Sequence, residues 1–85
     1  MKRGRPLTTV DALALRVHRV LRESGARNMN VVRAMCDRGA LELGNTLPTA
    51  QLIIFERVIG ILFLRGLVEW KSAKRNRKLA ARTTA

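Results

Sequence analysis

Apolar side chains at Val10, Leu13, Val17 and Leu21 recur at steps of three, four and four residues, the period that gathers them on one face of a helix. Thr8 stands where an N-cap is needed. Asp11, three residues on, resembles the second half of a capping box and suits the positive end of the helix. Ser24-Gly25 predicts the stop, because glycine readily takes the left-handed conformation after a C-terminus. Arg16, Arg19 and Arg22 fall mostly off the apolar stripe and read as solvated, with contact to a phosphate as the alternative.

A second helix is expected to start at Asn28 or Asn30 and to carry Val31, Val32, Met35 and Cys36. Gly39 either ends it or lies inside a longer helix, bent there, that runs through Leu41 and Leu43 to Gly44; the longer helix is preferred. From Pro48 to Arg65 only Thr49, Gln51, Glu56, Arg57 and Arg65 break an otherwise apolar run, which predicts a helix buried on more than one side. In so small a protein a second buried side suggests a partner subunit. Gly60 would let another helix approach, either from that partner or within the monomer. Frequent β-branched and aromatic residues keep a strand at Leu52 to Phe55 open as an alternative.

Gly66 should end the third helix, and Leu67 to Lys71 alternate as a short strand would. Beyond Trp70, Ser72 to Lys78 fits the tip of a β-ribbon, yet Lys74 to Arg82 also has good helix propensity, so both remain open.

Composition narrows the partner. Seventeen Lys and Arg against six Asp and Glu leave a net charge of +11 on 85 residues, a field that attracts polyanions, with nucleic acid first and an anionic membrane surface or acidic protein second. A hydrophobic content of 47% exceeds that of a disordered basic tail, so a folded core is expected. The length permits one small domain, which dimerisation would help to stabilise. Cys36 is the only cysteine, which excludes an intrachain disulfide and a multi-cysteine zinc site and fits a reducing, cytoplasmic setting. Asp11, Arg16, His18 and Arg19 interrupt any secretion-signal core, and Val58 to Leu64 is too short to span a bilayer.

Enzyme chemistry lacks its parts. His18 is the only histidine and reads as a surface or boundary residue, and Cys36 among apolar neighbours reads as a buried structural thiol. No phosphate-binding glycine loop, carboxylate cluster or metal-ligand spacing is present, so no catalytic residue, metal, cofactor or small-molecule ligand is expected. Trp70 reads as a packing residue, and two phenylalanines without tyrosine make a poor platform for single strands.

Ala40, Gly44, Ala50 and Ile53 have the small, turn, small and apolar character of a helix-turn-helix, with Gly44-Asn45-Thr46-Leu47 as the turn and Pro48 in the next helix's first turn. An ordinary helical hairpin is the alternative. The order of three helices, then Arg65-Gly66-Leu67-Val68, then a basic ribbon resembles the winged-helix DNA-binding regulators over residues 10 to 82. That resemblance implies a mainly α fold, a winged helix-turn-helix of three helices followed by a short β-ribbon or basic tail. The expected division is a basic arm (1–8), a helix-turn-helix core (9–71) and a basic wing or tail (72–85). Within the arm, Lys2-Arg3-Gly4-Arg5-Pro6 resembles the core of an AT-hook, which lies along the minor groove of A·T-rich DNA; a disordered basic terminus is the alternative.

The expected function is sequence-specific duplex DNA binding by a homodimer that represses transcription from an inverted-repeat operator. Compact repressors of this kind are typical of plasmids and phages, so by analogy the setting is the bacterial cytoplasm or nucleoid. Base contacts would come from Thr46, Thr49, Gln51 and, less directly, Arg57. Lys71, Lys74, Arg75, Arg77, Lys78 and Arg82, a run of six cations with no acid, would hold phosphates. Two other readings stay open: an architectural DNA-binding protein with little sequence preference, or a basic adaptor or inhibitor docking an acidic protein.

Overall fold

A computed structural model of the chain describes residues 9–72 and 77–82. Three helices, α1 (Thr9–Ser24), α2 (Met29–Glu42) and α3 (Pro48–Leu64), enclose a core closed on one side by a small antiparallel sheet. Its strands are β1 (Arg27–Asn28), β2 (Val68–Ser72) and β3 (Arg77–Ala81), and β3 lies in the middle, giving the order β1-β3-β2.

The α1 stripe is buried at Leu13, Val17 and Leu21, with Ala14 beside it. The proposed cap Thr8 lies outside the described residues. Asn28 is both the last residue of β1 and the cap of α2, its Oδ1 accepting from the Val31 N–H at 3.0 Å. α2 continues through Gly39, which is buried against α1: a β-carbon there would overlap Leu13 Cδ1. Arg16 is exposed but not simply solvated, since both of its terminal nitrogens donate to Glu42 Oε1, at 2.9 and 2.7 Å.

The ends of α2 and α3 share one device. Gly44 (φ 88°) donates to the Leu41 carbonyl and Asn45 to that of Ala40, while Gly66 (φ 67°) donates to Phe63 and Leu67 to Leu62. This is the Schellman closure, and its left-handed residue needs glycine. Gly66 thereby turns the chain from α3 into β2.

Several expectations change. Leu52 to Phe55 is helical throughout: Ile54, Phe55, Val58 and Leu62 reach the core at helical spacing, and that packing overrides strand propensity. Ile53, the apolar position of the helix-turn-helix pattern, is 48% exposed and so does not lock α3 onto α2 as that motif requires. A β-carbon on Gly60 would meet nothing within 4 Å among the described residues. The helical alternative for Lys74 to Arg82 fails over residues 77–81, which form β3. Leu79 is fully buried, and its strand is the middle one of the sheet. Strand β1 was not foreseen, because two residues carry no readable period.

Cys36 is fully buried, and burial, followed by the negative charge of Asp37, pushes its thiol up to about 12 from an ordinary 9.0, against a smaller opposing pull from Arg33. Two outcomes are expected. Thiol reagents should label Cys36 only after unfolding. Because the native thiol keeps its proton where the unfolded one loses it, the urea midpoint should hold below pH 9 and fall as pH rises from 9 towards 12.

Candidate nucleic-acid interface

Strands β2 and β3 alternate their side chains between two faces. Trp70 and Leu79 are register partners on the inner face, where Trp70 meets the Phe63 ring at 5.3 Å. Arg77 lies on the same side, its guanidinium 5.2 Å from the Trp70 ring centroid, so it stacks there instead of joining the other strand cations. On the opposite face Lys71 stands directly across from Lys78. Like charges in opposed positions destabilise a strand pair unless something negative lies near.

Glu69 is the acid on that face, across from Ala80 and one pair along from Lys71 and Lys78, but among the described residues no carboxylate lines the depression that the two lysines border. Lys71 and Lys78 border an open depression of about 640 Å³ that is also lined by Arg22, Arg82, the Gly25-Ala26 turn and Ala80. Its charged lining is four cations, and the described salt bridges, Arg16–Glu42 and Arg33–Asp37, involve none of them. A depression of this form accepts an anion whose oxygens reach several cations together, as a phosphodiester does. Arg22 is exposed, as one of the three α1 arginines read as solvated or, alternatively, as a phosphate contact. Its partnership with Lys71, Lys78 and Arg82 depends on β3 pairing beside the end of α1, which no local pattern announces.

The proposed reading residues lie elsewhere, and no α3 residue lines the depression. Thr46, in the turn before α3, and Thr49, in its first turn, are both exposed; Leu47 holds the cap position with no side-chain bond, so neither threonine serves as the cap. Gln51 is half-buried, and its Nε2 donates to the Asn45 carbonyl at 3.0 Å, which ties its side chain to the turn. Arg57 is exposed further along α3. Lys2, Arg3, Gly4, Arg5, Pro6, Lys74 and Arg75 lie outside the described residues.

His18 is half-buried, and burial, with Arg22 adding to it, holds its pKa below the ordinary 6.5. Among the described residues no group of three or more His, Cys, Asp or Glu could hold a metal ion, and no helix is long and apolar enough to cross a membrane. Comparison with protein-family models, with curated proteins and with solved structures gives no match.

Proposed function

We propose that this chain is a duplex-DNA-binding protein of winged-helix type, held to its target mainly through backbone phosphates and working as a homodimer. The order helix, short strand, helix, helix, β-hairpin, with the last strand in the middle of the sheet, supports the winged-helix reading. The observation that carries the function is the acid-free depression, where opposed Lys71 and Lys78 meet Arg22 and Arg82. Such an arrangement costs the free protein some repulsion and returns it when phosphate oxygens arrive and counterions leave.

Low sequence preference is the better-supported form of this activity. Beyond Thr49 the outward side of α3 offers Leu52, Ile53, Glu56, Arg57 and Leu64, few of which can read bases, and Gln51 is engaged in the turn. The second reading, a sequence-specific repressor that occludes polymerase at an inverted repeat, is favoured by the exposed Thr46 and Thr49.

A titration at physiological salt separates the two. Affinity for the best duplex enriched from a randomised pool should exceed that for mixed-sequence duplex by less than about tenfold, whereas a specific regulator would show a ratio of about a thousand or more. Absence of binding to any duplex would leave the reading of an acidic protein partner.

A further inference from the structure

At 100° per residue, Thr49, Ile53, Glu56, Arg57, Gly60 and Leu64 fall within about 100° of arc on α3, and all six are exposed. The stripe runs the length of the helix. Its apolar members are far from satisfied, with Leu64 87% exposed and Ile53 48%. At its centre stand one acid and one base in succession.

Gly60 is the most telling residue. Mid-helix glycine costs about 1 kcal/mol against alanine, and an added β-carbon here would meet nothing within 4 Å among the described residues, so none of them calls for glycine. A second helix crossing closely does call for it, because without a β-carbon the two backbones can approach.

We propose that this face pairs two copies of the chain, α3 against α3, antiparallel about a two-fold axis passing between Glu56 and Arg57. The stripe is complementary to itself in that one register. Glu56 comes opposite Arg57 of the second copy, twice by symmetry; Ile53 comes opposite Gly60, a large side chain over a bare backbone; Thr49 comes opposite Leu64. Shifting the pairing by one helical turn loses both the charge match and the fit of Ile53 over glycine. A second copy is therefore the occupant that the stripe fits.

The pairing concerns the two-fold contact alone and stands whatever the chain binds. It shares no residue with the depression formed by Arg22, Lys71, Lys78 and Arg82, so each copy keeps its cationic surface open. It does cover Thr49 and Arg57, which leaves base choice, if the dimer exercises any, to Thr46.

The test is sedimentation equilibrium on the full chain and on two charge reversals, Glu56→Arg and Arg57→Glu, with helical circular dichroism to verify folding. Both positions are exposed, so the fold should be retained. The native chain should dimerise, and each reversal should raise the dissociation constant at least about tenfold by placing like charges face to face twice. Mixing the two variants in equal amounts should restore dimers, because one variant then presents two bases at the axis and the other presents two acids. A monomeric native chain, dimers that survive either single reversal, or a mixture that stays monomeric would each overturn the proposal.

Discussion

Replacing Arg22, Lys71, Lys78 and Arg82 together with glutamine should leave the fold intact and remove most of the affinity for duplex DNA. All four are exposed, line one depression and take no part in the described salt bridges, so the free protein loses mainly mutual repulsion, and the opposed Lys71–Lys78 pair is relieved. On the DNA side each lost phosphate contact lowers the slope of log affinity against log salt by about 0.9, so four together should flatten it by about 3 to 4 and cost on the order of a thousandfold near 0.15 M salt. The loss should grow as salt falls, since counterion release contributes most there. Arg77→Gln is the internal control: it removes a guanidinium stacked on Trp70, costs about 0.5–1 kcal/mol of stability, and should leave the salt slope nearly unchanged. Filter binding or fluorescence anisotropy across a salt series measures all five substitutions.

Leu79→Ala should have the largest effect on stability. Leu79 is fully buried in the middle strand, within the cluster that also holds Val32, Cys36, Val58 and Leu62. Truncating such a residue costs about 2–5 kcal/mol through lost transfer energy and the cavity left behind. At roughly 0.05–0.15 kcal/mol per residue, a domain of this length holds only about 4–13 kcal/mol in total, so the variant should be partly or wholly unfolded at 37 °C. Leu43→Ala, at a site 53% exposed, should change stability by no more than about 0.5 kcal/mol. Urea denaturation of both variants decides the matter. Equal effects at the two sites would mean that residues 77–81 are an appendage and not the central strand.

Local features were legible in the sequence because local physics produces them. The α1 stripe, the Asn28 cap, Pro48 at the start of α3 and the glycines that close α2 and α3 each follow from a few neighbouring residues. What could not be read depends on contacts between distant segments. β1 has two residues and exists only because β3 lies beside it. Ile53 and Val58 look alike in sequence, yet packing exposes the first and buries the second. For the site, the basic character of Lys71 to Arg82 was plain, but its division between two faces was set by register. That register sends Arg77 to Trp70 and leaves Lys71 and Lys78 opposed, and only the folded chain adds Arg22 to them. Gln51 had the chemistry to read adenine, but its use in the turn follows from a carbonyl six residues earlier.

Binding of the native chain to a mixed-sequence duplex, followed as salt is raised from 50 to 200 mM, tests the central claim most directly. Occupation of the four-cation depression by phosphates predicts firm binding at the lower salt and a straight log–log decline with a slope of about −3.6 or steeper. No detectable binding at 50 mM, or binding indifferent to salt, would contradict it.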